Sequence, residues 1–206
     1  MPATPHDWNV AVVGAWNLAI LTPQGIARRL FQLAPETPVE IQVAINEPAR
    51  IRVAHDGLLV APSDGRLLVT PVKEISEAEL SHAAQIAARA LENLPETPVT
   101  ASGINIRWQF DSLPDRLLTT AGLVDDTLSD AGYSIVSRFM RRTVKWHQGV
   151  INIELTENRD ATGVLTFNFH LESGLVADHI DWLSKVHEMV STAQELNTSL
   201  VGTKLQ

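Results

Sequence analysis

The chain reads as one order of elements written twice: strand, helix, three strands and helix over residues 8–94, and the same order again over residues 95–196. That order constrains the fold more than any single residue does, because strands joined by tight turns pair as antiparallel hairpins and connections between neighbours stay short. It predicts an α+β domain with a mainly antiparallel sheet and helices returning over one face. Residues 1–7 and 197–206 read as flexible ends outside the two halves.

In the first half, Trp8–Val13 is apolar enough for a strand buried on both faces, with Leu18–Leu21 expected to continue it past a kink at Gly14. Thr22-Pro23 opens a helix with a capping hydroxyl and a proline in the first turn, and the prolines at 35 and 38 stop it. Val39, Ile41, Val43 and Ile45 then alternate with Glu40, Gln42 and Ala44, the period of a half-buried strand. Asp56-Gly57 and Asp64-Gly65 mark tight turns in a meander running from Ile51 to Val69. Ser76 and Glu79 form a capping-box pair that opens an alanine-rich helix to Leu94.

In the second half, Val99–Phe110 repeats the opening strand, with a kink expected at Gly103. A helix follows from Ser112-Leu-Pro114 and closes at Gly132. Strands are expected over 133–146, 150–155 and 164–171, then one helix from Leu175 to Leu196. The halves share pattern and little identity. Their order is similar to that of the duplicated saddles of TATA-binding proteins and, more loosely, of sliding clamps. The resemblance lies in element order over nearly the whole chain, and it implies a saddle-like sheet.

No element carries a familiar chemistry. With no cysteine the chain makes no disulfide or thiolate site, which suits the cytoplasm, and its start lacks the basic and apolar regions of a signal peptide. No apolar run is long enough to span a bilayer. Sixteen Lys and Arg against twenty-four Asp and Glu give a net charge of −8, which argues against nucleic acid as a partner. His179 and His187 are eight residues apart, too far along one helix to share an ion, so no metal, cofactor or catalytic residue is expected.

Two groups remain as candidates. Arg138, Arg141, Arg142 and Lys145 form the one basic cluster, on a strand whose alternation puts Arg138 and Arg142 on one face and Arg141 and Lys145 on the other. Cross-strand pairing with Glu154 and Glu157 accounts for such a cluster, while Arg138, Arg142 and His170 are the candidates for an anion or ligand. Five tryptophans beside one tyrosine supply the second group, of which Trp16, Trp108, Trp146 and Trp182 are candidate interface anchors. The expectation is a non-enzymatic protein-binding or assembly protein, self-associating or meeting another protein. The alternative is a small-ligand binder or enzyme with a pocket between sheet and helices; nucleic acid on the sheet face ranks behind both.

Overall fold

Among the described residues ten strands form one open sheet, and every described pairing is antiparallel. The computed structural model describes residues 3–43, 51–114, 117, 122–158 and 162–202. The strands are β1 (Thr4–Pro5), β2 (Asn9–Gly14), β3 (Glu40–Val43), β4 (Ile51–His55), β5 (Leu58–Pro62), β6 (Arg66–Pro71), β7 (Val99–Phe110), β8 (Ser137–Trp146), β9 (Gly149–Asn158) and β10 (Gly163–Glu172). The helices among the described residues are α1 (Pro23–Arg29), α2 (Glu77–Asn93), α3 (Gly122–Asp130), α4 (Val176–Leu183) and α5 (Val186–Val201).

The sheet runs β3-β4-β5-β6-β2-β7-β10-β9-β8. Its two central strands, β2 and β7, open the two halves. From each, the order runs outward through the last strand of its half towards the earlier ones. β7 is twelve residues long and pairs with β10 on one side and with β2 and the short β1 on the other. The N-terminal segment expected to be loose is therefore anchored: Thr4 and Pro5 oppose Gln109 and Trp108, and Asp7 meets Arg107 at 2.5 Å.

One face of the sheet is apolar. Val10 and Val12 on β2, Leu67 and Val69 on β6, Val60 on β5 and Val53 on β4 are buried on it in cross-strand register. Ile104, Ile106 and Trp108 on β7 continue it through Phe169, Phe167 and Leu165 on β10 to Ile151 and Leu155 on β9. The helices cover this face, α2 on β2 and β6, α4 and α5 on β7, and α1 on β4, and α2 touches α1, α4 and α5. At about 1.5–3 kcal/mol for each large apolar side chain removed from water, this one-sided core is the principal stabilising term.

Local chemistry explains most boundaries. Thr22 Oγ1 accepts from Gly25 N at 3.1 Å with Pro23 in the first turn, and Ser76 Oγ accepts from Glu79 N at 3.3 Å. Leu18–Leu21 does not continue β2. Asn17 Oδ1 accepts from Ala19 N at 3.0 Å and its carbonyl accepts from Ile20 N and Leu21 N, so this asparagine turns the chain instead. β2 ends at a register shift between Val13 and Gly14, where a Cβ on Gly14 would lie 2.6 Å from the Pro98 carbonyl. Gly103 makes no kink; β7 stays in register with both neighbours through it.

The last helix differs from expectation in two ways. It is two helices, parted at Ser184-Lys185, where Ser184 Oγ donates to the Asp181 carbonyl at 2.6 Å and so draws off an acceptor of the helix ladder. It also runs on through Asn197, which is buried, to a left-handed cap at Gly202 (φ +79°).

At the start of α5, His187 Nδ1 lies 2.5 Å from Glu77 Oε1 in the first turn of α2. The hydrogen bond and charge of Glu77 raise the His187 pKa above its ordinary 6.5. A raised folded-state value stabilises the protonated form, so this contribution is complete below about 6.5 and is lost as pH rises through the folded value. A histidine-resolved NMR titration should show His187 titrating higher than 6.5, and Glu77→Gln should return it to the ordinary range.

Candidate functional site

β8 closes one end of the sheet, so its outer edge has no strand partner among the described residues. The alternation is the one the sequence implies. Arg138, Met140, Arg142, Val144 and Trp146 lie on the helix side, opposite Glu157, Leu155, Ile153, Ile151 and Gly149 of β9. Phe139, Arg141, Thr143 and Lys145 lie on the other side, and Phe139 is 62% exposed.

The four cations of this strand are not equivalent. Arg138 is clamped between Glu157 and Asp125, each at 2.6 Å, and these two carboxylates, Glu157 first, raise its pKa above the usual guanidinium value. Arg141 pairs with Glu154 at 3.4 Å. Arg142 sits opposite an isoleucine, and its Nη1 donates to its neighbour's carbonyl, Arg141 O, at 2.9 Å. Neither Arg142 nor Lys145 has a carboxylate partner among the described residues.

The ligand candidates are not brought together. Arg138 is already occupied, Arg142 faces the helix side, and His170 lies on the opposite face of the sheet, where its Nε2 is 3.2 Å from Glu172 Oε1. The tryptophan candidates are mostly interior. Trp16, Trp108 and Trp182 are buried; Trp16 Nε1 donates to the Val12 carbonyl at 3.1 Å, and Trp108 packs edge-on against Trp8 and Phe167. Trp182 fills the space left by Gly149, where an added Cβ would lie 2.7 Å from the indole, and it meets Trp146 at 5.2 Å between ring centroids. Of the four, Trp146 alone is half-buried, at the end of β8.

Between β8, β9, β10 and the end of α5 lies a cavity of about 220 Å³. Its wall includes Leu117, Met140, Ile153, Leu155, Leu165 and Leu200, and among the described residues Arg142 is the one charged residue lining it.

The face away from the helices carries a feature that single-strand patterns do not reveal. Asn9, Asn105, Asn168, Asn152 and Thr143 stand in cross-strand register on five adjacent strands, β2, β7, β10, β9 and β8. Thr143 Oγ1 donates to Asn152 Oδ1 at 2.8 Å, Asn152 Nδ2 to Asn168 Oδ1 at 2.9 Å, Asn168 Nδ2 to Asn105 Oδ1 at 2.9 Å, and Asn105 Nδ2 to Asn9 Oδ1 at 2.8 Å. Asn9 Nδ2 passes the last bond to the Asp7 carbonyl at 3.2 Å, so every amide donates in the same direction. Gly103 borders the row, where a Cβ would come within 3.2 Å of Asn168 Nδ2. Asparagine is a poor strand former, and its recurrence at positions 105, 152 and 168 was the available signal.

Inside the core, Ser102 Oγ and His179 Nδ1 are 3.0 Å apart, and His179 Nε2 is 2.9 Å from the Ser173 carbonyl. A carbonyl only accepts, so Nε2 carries a proton, and in the neutral ring Nδ1 then accepts from the serine hydroxyl. The spacing resembles a nucleophile and its base, yet both side chains are sealed from solvent and no substrate reaches them. Their role is to tie α4 to β7. Ser102→Ala should cost about 1–2 kcal/mol in chemical denaturation, from a buried ring nitrogen left without its donor.

Among the described residues no three histidine or acidic side chains gather where they could hold a metal ion, and no helix is long and apolar enough to cross a membrane. No protein-family model matches the chain, and no curated protein matches it.

Proposed function

We propose that this is a binding protein whose working surface is the free edge of β8, which takes an acidic extended segment of another protein as an added strand. The observation that carries the reading is the edge itself: ten regular residues without proline, exposed at seven positions, with no carboxylate partner for Arg142 or Lys145 among the described residues. Backbone groups along such an edge bind any extended chain, and side chains select which one. Cations at the edge oppose pairing with a second copy of the same strand and favour a segment carrying Asp or Glu. Phe139 and Val144 offer apolar contacts on the two faces of that added strand.

The matching outward order of strands on either side of β2 and β7 supports reading the two halves as an ancient internal duplication. On that reading β8 and β3 are the equivalent free ends, and divergence has made β8 the long, basic one. The buried positions of Trp16, Trp108 and Trp182 move the interface away from tryptophan anchors and towards the backbone edge.

Selection of this protein against a random peptide library tests the reading. Enriched peptides should alternate β-branched and acidic residues, and Lys145→Glu should reverse the charge preference. Peptides without acidic enrichment, or capture indifferent to Lys145→Glu, would exclude it. Light scattering across a concentration series adds a second check: a particle mass that grows with concentration and ignores Lys145→Glu would replace this reading with self-association through another surface.

A further inference from the structure

The geometry points to the cavity beneath β8 as a binding site for a small apolar carboxylate, with Arg142 holding the carboxylate at its mouth and Met140, Ile153, Leu155 and Leu165 enclosing the hydrocarbon. Size gives the first constraint. Apolar cavities of about 150 Å³ hold benzene, and at roughly 30 Å³ for a group the size of water the 220 Å³ here accommodates about seven methylene-sized groups. A ligand of that volume is a medium-length acyl chain or a single substituted ring.

Charge gives the second constraint. Among the described residues Arg142 is the one charged residue in a lining otherwise made of leucine, isoleucine and methionine, and it stands directly opposite Ile153 on β9. Its guanidinium has five donors, of which one N–H is engaged with the Arg141 carbonyl. Arg138 and Arg141 on the same strand each have a carboxylate from this chain; Arg142 has none among the described residues. A planar fork with free donors at the rim of an apolar hole matches one carboxylate, bound by two parallel hydrogen bonds. A phosphate ester would bring a second negative charge with no second cation among the described lining residues to meet it, in a protein whose net charge is already −8. This site uses the inner face of β8 and does not depend on a strand being added at its outer edge.

The test uses sodium octanoate and octan-1-ol with the full chain labelled at its methionine methyl groups. The chain has three methionines, and Met140 lines the cavity whereas Met189 is buried in α5 away from it. Octanoate should shift the Met140 signal saturably and leave Met189 in place. Octan-1-ol should bind at least ~10-fold more weakly, the loss expected when a charged hydrogen-bonded head group is removed. Arg142→Gln should weaken octanoate by a similar factor and leave octan-1-ol unchanged, and Leu200→Trp should abolish both by filling the space. A Met140 signal unmoved by millimolar octanoate overturns the assignment. So does equal binding of acid and alcohol by the unaltered protein, which requires no variant to fold.

Discussion

Replacing Trp182 with alanine lowers the stability of the fold by about 3–5 kcal/mol, or ~10 °C in melting temperature for a chain of this size. The indole is fully buried, packs edge-on against Trp146 at 5.2 Å, and sits over Gly149 where no other residue type leaves room. Nothing nearby is free to collapse into the hole, because Trp146 is itself held against Phe169 at 4.9 Å. Trp182→Phe should cost less than half as much. Its Nε1 is buried without a hydrogen-bond partner, so phenylalanine gives up volume and no bond. Trp8→Phe and Trp16→Phe are different, since each takes a donor away from a carbonyl, Arg107 O in one and Val12 O in the other. Urea denaturation followed by circular dichroism of the four variants would separate the packing contribution from the hydrogen bonds.

Breaking the amide row at its middle has the next largest effect. Asn168→Ala removes the donor to Asn105 and the acceptor for Asn152 together, leaving two polar groups unsatisfied on a crowded face, and should cost about 2–4 kcal/mol. Thr143→Val, at the edge, removes one bond and should cost about 1 kcal/mol. Replacing Asn105, Asn168 and Asn152 together with valine should cost less than Asn168→Ala alone, because matched apolar neighbours leave fewer orphaned groups and valine favours strands. If the triple variant were instead the least stable in denaturant, the row would be contributing more than the sum of its pairwise bonds.

Local signals carry far along this chain. Period-two alternation over 138–145, read with Glu154 and Glu157 on the next strand, anticipates the ion pairs Arg141–Glu154 and Arg138–Glu157. Capping chemistry places the starts of α1 and α2 at Thr22 and Ser76. What a strand pattern lacks is the identity of its neighbours. Asn105 and Asn152 become linked through Asn168 because β10 lies between β7 and β9, a matter of sheet order that no window of sequence contains. The division at Ser184 is hidden for a related reason: the apolar positions Ile180, Leu183 and Val186 run straight through it, so the stripe reads as one helix while a serine hydroxyl divides it. The burial of Trp182 likewise depends on a glycine in another element, Gly149. The cavity depends on β8, β9, β10, the end of α5 and Leu117 meeting, and its sequence trace is Arg142, a cation placed among apolar positions.

The central position of β2 and β7 bears on synthesis. A ribosome releases residues 9–71 before residues 99–110, so a folding first half has β2 at its boundary until β7 emerges. β2 reads Asn-Val-Ala-Val-Val-Gly and carries no charge, whereas β8, the boundary of the finished sheet, carries four cations. The nascent chain therefore passes through an interval in which its outermost strand lacks the charged side chains that guard an edge against unwanted pairing. Arrival of β7 ends that exposure, and the later arrival of β8 hands the boundary to a strand that carries four cations.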